Sequence, residues 1–239
     1  MATAWRLKTY EVLPSTSDLC RSLAEAGEPD GLAVLARRQT QGRGSRGRDW
    51  VAPPGNLNLS VLIRPRETVA SAAQWALLAA VALAEALAPI ARLQVKWPND
   101  LLLDGRKVAG ILLDSADDGR GGLAWLVIGM GVNLAQTPSV YDQEAGSLRS
   151  SESPEQVASR VLERLDAWRQ TRLLEGFAPV RAAWLSRAQE IGATVSLRIG
   201  EERRGGQFAG LGEDGSLLLR TGGRVHAFTT GEVMLGGGG

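Results

Sequence analysis

The sequence has few of the side chains that form covalent catalytic intermediates or metal cages. Its 239 residues include one cysteine, Cys20, and one histidine, His226. A single cysteine excludes an internal disulfide and a thiolate metal cage, a usage typical of the reducing cytoplasm. We interpret both residues as structural, Cys20 on an apolar helix face and His226 in a strand. Without an evident nucleophile pair, catalysis by positioning and charge neutralisation remains, as chemistry at phosphorus usually requires.

The sequence also lacks an excess of charge and a long hydrophobic run. With 27 basic and 26 acidic residues, its formal net charge is +1, which argues against a protein that binds nucleic acid with its whole surface. Its first residues show no signal peptide. The most apolar stretch, Trp75–Ala84, is too short to span a bilayer and suits a buried helix. We therefore expect a cytoplasmic protein without a membrane partner.

Alternating strand and helix patterns predict a mixed α/β (α+β) fold with polar motifs at strand ends, where open sheets usually bind ligands. Short apolar runs predict strands at Lys8–Leu13, Leu32–Ala36, Leu57–Ile63, Leu93–Lys96, Leu101–Leu103, Lys107–Asp114 and Ala124–Ile128. Helical spacing predicts helices after Ser15-Thr16-Ser17-Asp18 and at Ser71–Ala88, Glu155–Leu174 and about Phe177–Ala188. The pair Asp104-Gly105 predicts a hairpin turn.

The C-terminal region has a different pattern, with short alternating runs separated by glycine-containing turns. These runs predict a small β-barrel with strands at Thr194–Ile199, Gln207–Leu211, Ser216–Arg220 and Arg224–Thr229. The last residues, 236–239, are all glycine and are predicted to be disordered. The sequence therefore divides into a larger domain at 1–189, a small barrel at 190–235 and a glycine tail at 236–239.

A loop in which glycine alternates with arginine follows the second predicted strand. It runs from Gln39 to Trp50 with the sequence QTQGRGSRGRDW. The glycines let the backbone fold over a ligand, and the arginines offer forked donors for carboxylate or phosphate. They are Gly42, Gly44 and Gly47, and Arg43, Arg46 and Arg48. The alternative is a flexible solvated basic loop of the kind found in nucleic-acid-binding proteins.

The segment Lys96–Asp100, KWPND, is the second polar motif. Pro98 restricts the backbone, so Lys96 and the pair Asn99-Asp100 are held at a defined separation. In this setting Asp100 could ligate Mg²⁺ and Lys96 could meet a phosphate. A turn capped by the Asn and Asp side chains is the alternative interpretation.

Two further positions carry polar chemistry in apolar surroundings. Lys107 precedes the apolar run Val108–Leu112, where a cation either extends to solvent or faces a ligand. In the segment GMGVN, Gly129 and Gly131 suit a tight turn or the close approach of a ligand, and Asn133 suits a turn cap or a contact with metal or nucleotide. Together the motifs indicate an enzyme that handles phosphate.

In their order along the chain, these motifs resemble the signature of biotin protein ligases. The matching segments are Gly42–Arg48 with Trp50, Lys96–Asp100, Lys107 with Ala109–Leu112, and Gly129–Asn133. The resemblance runs from about Tyr10 to the C-terminal barrel. It implies a ligase domain of the class II aminoacyl-tRNA synthetase and biotin/lipoate ligase type, followed by an SH3-like barrel.

The resemblance also implies a reaction and its participants. Biotin would be activated as biotinoyl-5'-AMP with ATP and Mg²⁺ and passed to one lysine of a biotin carboxyl carrier domain of a carboxylase. No tightly bound prosthetic group is implied. A homodimer is compatible with the family. Because the sequence begins at the ligase domain, we expect no N-terminal DNA-binding domain and no DNA partner.

Site residues follow from the resemblance residue by residue. The residues implied in biotin binding are Ser15, Thr16, Ser17, Gln39, Gly42, Arg43, Gly44, Ser45, Lys107, Gly110 and Gly129. Those implied in ATP binding are Arg46, Arg48, Trp50, Asn99 and Asn133. Those implied in catalysis are Lys107, Lys96, Asp100 and Arg43, with Asp100 also a candidate Mg²⁺ ligand.

Three alternatives stay open at this point. A lipoate-type ligase or acyltransferase shares the superfamily and the transfer of an acyl group to lysine. A nucleic-acid-binding module would show a steep dependence of binding on salt and is suggested by Arg37, Arg38, Arg43, Arg46 and Arg48. A non-catalytic binder of biotin or nucleotide would have little need for Lys96, Asp100 and Lys107 together.

Two positions depart from the family pattern, and one of them generates a prediction. Ser17 stands where the family usually has Asn, and Ser45 where it usually has a further arginine. Because Ser45 removes a cation from the loop, we predict that the wild-type protein releases biotinoyl-AMP more readily than Ser45→Arg. The measurement is the adenylate found in solution without a carrier domain. Equal release from the two proteins would contradict the prediction.

Overall fold

Two β-sheets and four helices make up the described part of the chain, which is residues 4–138 and 145–235 of a computed structural model. The predicted glycine tail at 236–239 lies outside the described residues. The mixed α/β (α+β) character predicted from the sequence is confirmed.

The larger sheet contains β1 (Arg6–Leu13), β2 (Leu32–Gln39), β3 (Leu57–Ile63), β4 (Gln94–Lys96), β5 (Asp100–Leu103), β6 (Arg106–Asp117) and β7 (Leu123–Val132). Their order across the sheet is β1-β2-β3-β7-β6-β5-β4. Only the β1–β2 pair is parallel, and the other pairs are antiparallel. The β5–β6 hairpin turns at Asp104 and Gly105, where φ is 50° and 76°. This turn confirms the prediction made from that residue pair.

Helix α1 (Thr16–Glu25) connects the two parallel strands, because such strands need a crossover. Ser15 caps its first turn by accepting a hydrogen bond from the Asp18 backbone N–H at 3.2 Å. The helix packs on one face of the sheet, against alternate residues of β2, β3 and β7 that include Val34 and Val127. Burial among them raises the pKa of the Cys20 thiol to about 12, so Cys20 behaves as the buried hydrophobe that the sequence predicts.

The other face of the sheet is covered by α2 (Ala72–Leu87), α3 (Pro154–Glu175) and α4 (Ala178–Leu185). Helix α2 together with the 3-10 turn before it, Val69–Leu87, has the length and apolar composition of a membrane span, with a mean hydropathy of 1.5. Most of its residues are buried against the sheet and α3, so their hydrophobic character is explained by the core.

The C-terminal region forms a second sheet. It contains β8 (Thr194–Ile199), β9 (Glu202–Leu211), β10 (Leu217–Thr221), β11 (Arg224–Phe228) and β12 (Glu232–Leu235). All pairs are antiparallel, in the order β11-β10-β9-β8-β12. Within the described residues β11 and β12 are the two edges and do not pair, so the predicted barrel is here an open sheet. Strand β12 has no counterpart among the strands predicted from sequence.

The turn between β9 and β10 attaches the second sheet to the larger one. The indole Nε1 of Trp97 donates a hydrogen bond to the Gly215 carbonyl at 3.1 Å, and the Gln74 side chain donates to the Glu213 carbonyl at 3.0 Å. Buried residues of both sheets also belong to one hydrophobic cluster. The predicted division at 189 and 190 stays a prediction.

The glycines at 129 and 131 correct one expectation from the sequence. Both lie inside β7, where they pair with β3 and β6, and neither forms the predicted tight turn. A strand glycine often marks a site where other atoms approach the backbone closely, and here the side chains of Ser17 and Trp50 do so. The close approach of a ligand stays a prediction.

A buried ion pair between α3 and the segment before α2 yields a stability prediction. The Arg172 guanidinium donates to both oxygens of Glu67, at 2.9 and 2.6 Å, and to Gln74 at 2.7 Å. Burial raises the pKa of Glu67, but hydrogen bonds from Arg172, Ser71 and Trp75 lower it further than burial raises it. The pKa therefore lies below its ordinary value, and the pair stabilises the fold above that value and loses its effect as pH falls through the lowered pKa.

We predict that Arg172→Met lowers the free energy of unfolding at pH 7 by about 1.5–3 kcal/mol, because it removes the charged hydrogen bonds of a partly buried carboxylate. The loss should shrink as the solution is acidified and Glu67 becomes protonated. Urea denaturation at several pH values measures both effects. The control is Arg204→Met, which breaks a pair with Glu202 in which the arginine side chain is 56% exposed and should change stability little. Equal losses for the two variants would contradict the prediction.

Candidate functional site

The site lies on the face of the larger sheet that carries α1, beyond the N-terminus of that helix. Alternate residues of each strand point to this face. They are large and apolar under α1, and small or polar beyond the helix. In β3 the series is Asn58, Ser60 and Leu62, and in β7 it is Trp125, Val127, Gly129 and Gly131. The change leaves room above the sheet, which the glycine- and arginine-rich loop covers.

A buried hydrogen-bond network forms the closed end of the cavity under this loop. The Gln39 oxygen accepts from the Thr16 backbone N–H at 2.7 Å and from the Thr16 hydroxyl at 3.0 Å. The Ser60 hydroxyl lies 2.7 Å from that of Thr16 and 3.0 Å from that of Ser17. The Gln39 amide also donates to Asn58 at 3.2 Å. These groups form a polar end suited to a ligand with donors and acceptors of its own.

The indole of Trp50 occupies the open half of the same cavity. A Cβ atom added to Gly131 would overlap the indole, and one added to Gly110 would lie 3.4 Å from it. The cavity volume that remains is only about 40 Å³, which is room for a few water molecules. A ligand the size of a fused bicyclic ring must therefore displace Trp50 from this position.

Arg43 closes the cavity from the side by pairing with two carboxylates. Its guanidinium lies 2.8 Å from Asp18 in α1 and 3.2 Å from Asp114 in β6. The sequence predicts Arg43 as a partner for an external anion, but in this structure the two aspartates satisfy it.

A second polar centre joins the KWPND segment to β6. Asp100, whose side chain is 7% exposed, lies 3.3 Å from the Lys96 ammonium and 2.6 Å from the Lys107 ammonium. Asn99 donates to the Ile111 carbonyl at 2.6 Å, and this bond attaches the segment to β6. Two cations thus share one carboxylate and present a net positive charge to the cavity.

The same geometry bears on the expected Mg²⁺ ligand. Each Asp100 oxygen faces an ammonium group, and within residues 4–138 and 145–235 no three His, Cys, Asp or Glu side chains group as metal ligands. Asp100 is therefore the counter-ion of the two lysines, and these described residues do not form a cage for a resident metal cation.

The C-terminal sheet contributes Glu232 to the site. Its carboxylate lies 2.6 Å from Arg46, 2.6 Å from Arg198 and 3.9 Å from Arg48. Burial raises the pKa of Glu232, but the hydrogen bond from Arg198 and the charges of Arg48, Arg198 and Lys96 lower it below its ordinary value. This carboxylate is therefore ionised at neutral pH and offsets part of the positive charge of the loop.

A larger cavity of about 370 Å³ lies beside Trp50, between the loop, the two lysines and β12. Its lining includes Arg48, Lys96, Asp100, Lys107, Asn133 and Glu232. Its volume is in the range of small-molecule sites, and three cations line it together with three carboxylates, Asp49, Asp100 and Glu232. It meets the smaller cavity at Lys107.

Most residues predicted for the site lie together around the two cavities, but three of them have mainly structural contacts. Ser15 caps α1. Asn133 donates from its side-chain amide to the Gly146 carbonyl at 2.9 Å, as a turn cap does, although it also lines the larger cavity. Gly42 lies so close to the Trp50 carbonyl that a side chain would not fit.

The structure adds residues that sequence reasoning missed or gave little weight, namely Asp18, Asn58, Ser60, Asp114 and Glu232. A signal for two of them was present, because Asn56, Asn58 and Ser60 occur at alternate positions around the start of an otherwise apolar strand. Polar residues at this period are unusual on a buried strand face.

Comparisons with known proteins agree with this geometry. The sequence model of the Biotin/lipoate A/B protein ligase family matches residues 9–133. The biotin–[acetyl-CoA-carboxylase] ligase of Paracoccus denitrificans is 40% identical over 217 residues, covering 85% of this chain and 90% of that protein. The ligase of the same name from Mycobacterium tuberculosis is 32% identical over 240 residues, covering 92% and 85%. The structure of biotin protein ligase from Aquifex aeolicus in complex with biotin and ATP matches with a TM-score of 0.81 at 28% identity, covering 96% of this chain and 97% of that one.

The packing of Trp50 on Gly131 predicts the effect of adding one methyl group. In Gly131→Ala the new Cβ would overlap the indole, so Trp50 should leave the cavity and stability should fall by about 1–3 kcal/mol. Fluorine NMR of protein labelled with 5-fluorotryptophan, with the Trp50 signal assigned from Trp50→Phe, measures its exposure to solvent. The control is Gly205→Ala, whose added Cβ meets no atom within 4 Å. An unchanged Trp50 signal in Gly131→Ala would contradict the packing described here.

Proposed function

The chain belongs to the biotin/lipoate A/B protein ligase family and is a ligase. We propose that its site activates biotin as biotinoyl-5'-AMP and transfers the biotinoyl group to a lysine of a carboxylase carrier domain. The observation that carries this assignment is the Lys96–Asp100–Lys107 cluster, which lies between a small polar cavity and a larger one lined by charged side chains. Relatives named as biotin–[acetyl-CoA-carboxylase] ligases and a related structure with biotin and ATP support it.

The first half-reaction joins two anions. A carboxylate oxygen of biotin attacks the α-phosphorus of ATP, a new C–O–P linkage forms, and pyrophosphate leaves with the electrons of the broken P–O bond. The attack is slow in water because like charges repel. Lys107 and Lys96 lower this repulsion from fixed positions, and such preorganised charge is the larger part of many rate enhancements. Holding both substrates in place supplies much of the remaining effect.

The second half-reaction transfers the acyl group. The carrier lysine, as its neutral amine, attacks the acyl carbon of biotinoyl-AMP and forms an amide bond. The acyl C–O bond breaks, AMP leaves with its electrons, and the nitrogen releases a proton. No covalent bond to the ligase is required, in keeping with the buried, inert Cys20 thiol.

Mg²⁺ enters, in this proposal, as part of the MgATP substrate and keeps mainly phosphate and water ligands, as the ion commonly does. The role of Asp100 is to hold Lys107 and Lys96 within reach of the phosphate. Direct ligation of the metal by Asp100 stays a prediction.

The polar end of the smaller cavity supports biotin over lipoate as the acyl substrate. Thr16, Ser17, Gln39 and Asn58 line this end, where a ureido ring can form hydrogen bonds and a dithiolane cannot. A site built from buried polar groups rejects an apolar analogue strongly, because those groups then lose partners.

The remaining parts of the assignment are also proposals. We propose that 1–189 is a catalytic domain of the class II synthetase type and that 190–235 is an SH3-like module whose Glu232 supports the loop. A cytoplasmic location, the absence of DNA and membrane partners and a homodimer stay predictions from the sequence and the resemblance.

Lys107→Ala should lower the rate of carrier biotinylation by about 10²–10³-fold, the usual cost of removing one charge-stabilising donor. Intact mass of a carrier domain, incubated with ATP, Mg²⁺, biotin and each variant, measures the transfer. The control is Lys8→Ala, which removes an exposed lysine of β1 and should leave the rate unchanged.

Two outcomes would overturn the assignment. A mass increase with lipoate or octanoate but not with biotin would place the chain with the lipoate-type members of the family. Full activity of Lys107→Ala with biotin would remove this lysine from the reaction and leave the cluster without its proposed role.

A further inference from the structure

The hydroxyl of Ser60 lies behind the smaller cavity and connects two residues that line it. Ser60 is on β3, opposite Gly129 of β7, and is fully buried. It lies within hydrogen-bond distance of Thr16 and Ser17, at 2.7 and 3.0 Å. Either oxygen of each pair could donate on distance alone. The surrounding groups decide which one does.

The direction of the network is set at its far end by a backbone carbonyl. The Asn58 side chain lies 3.2 Å from the Ala36 carbonyl oxygen, which only accepts, so the Asn58 nitrogen must face it. The Asn58 oxygen then faces Gln39 and accepts from the Gln39 nitrogen. The Thr16 backbone N–H, a donor, independently requires the Gln39 oxygen on its own side. Both ends of the Gln39 amide are thereby oriented.

The orientation of Gln39 determines which hydroxyl donates its proton in each of the next contacts. The Gln39 oxygen can only accept, so the Thr16 hydroxyl uses its single proton there. The contact between Thr16 and Ser60 must then use the proton of Ser60. The contact between Ser60 and Ser17 must in turn use the proton of Ser17. Ser17 consequently has only lone pairs left for the cavity.

We infer that Ser60 is a positioning residue that makes Ser17 a pure hydrogen-bond acceptor for a ring N–H of the bound substrate. Ser17 lines the cavity, and its hydroxyl lies directly over Gly129, where a side chain would collide with it. The inference rests on the proposed function, in which the ureido ring of biotin supplies the N–H. Ser60 touches no ligand and acts through Ser17 and Thr16.

Removing the Ser60 hydroxyl releases the proton of Ser17, which can then turn toward the cavity and oppose the substrate N–H. In Ser60→Ala we expect the KM and the Kd for biotin to rise about tenfold, the effect of one net hydrogen bond. The kcat of adenylate formation at saturating biotin should be unchanged. Ser60→Thr keeps a hydroxyl and should restore most of the affinity.

The test combines these variants with Ser17→Ala and with a biotin analogue methylated at its ureido nitrogens. Ser17→Ala and Ser60→Ala break the same chain, so the double variant should bind biotin no more weakly than the weaker single one. The wild type should prefer biotin to the analogue by a larger factor than Ser60→Ala does. The control is Ser216→Ala, which removes a buried hydroxyl bonded to Asp214 in the second sheet and should leave KM for biotin unchanged.

The outcomes separate this inference from the proposed function. A wild type that binds no biotin would overturn the proposed function itself. If the wild type binds biotin, three results would overturn only the role of Ser60. They are equal binding by Ser60→Ala, additive losses in the double variant, and a fall in kcat in place of affinity. If Ser60→Ala does not fold, Ser17→Ala decides, because its preference for biotin over the analogue must be smaller than that of the wild type if Ser17 accepts from the ring.

Discussion

The shared carboxylate of Asp100 is the interaction on which the site depends. Lys96 ends β4, Asp100 begins β5, and Lys107 follows on β6, so one buried side chain joins three successive strands at the sheet's outer side. The pairing of β5 with β6 shifts register beyond Leu101, and this irregularity accompanies the position of Lys107 beside Asp100. Two ammonium groups would repel each other without the carboxylate. With it, they present a stable positive charge toward the place where two substrate anions must meet.

The arginines of the loop are also held by carboxylates, but their ion pairs are more exposed to solvent than those of the lysine cluster. Arg43 pairs with Asp18 and Asp114, and Arg46 pairs with Glu232, although the arginine side chains are 36% and 43% exposed. Ion pairs at such exposure contribute little to stability, so a phosphate or carboxylate ligand can replace the internal partners at small cost. This balance fits a chain of formal net charge +1, because the cations of the site are held by internal carboxylates.

The second sheet contributes to the site from two directions. Its β9–β10 turn bonds to Trp97, inside the KWPND segment, and its last strand provides Glu232 to the loop. The loop and the lysine cluster therefore share a support that lies far away in sequence. A C-terminal region whose role the sequence leaves open thus has a physical connection to the chemistry.

Local pattern by itself determined the strands of the larger sheet, the helices, the Asp104-Gly105 turn and the motifs around the site. Those features depend on residue period, capping and backbone preference over a few neighbours, which a sequence displays directly. Only the tertiary structure decided which charges meet, because Arg46 and Glu232 are 186 residues apart and no local signal pairs them. It also placed Gly129 and Gly131 within a strand, since glycine suits a turn and a close approach equally well until a neighbour such as Trp50 or Ser17 is present. The direction of the hydroxyl network was likewise beyond the sequence, because each proton is assigned by a partner on another strand or helix.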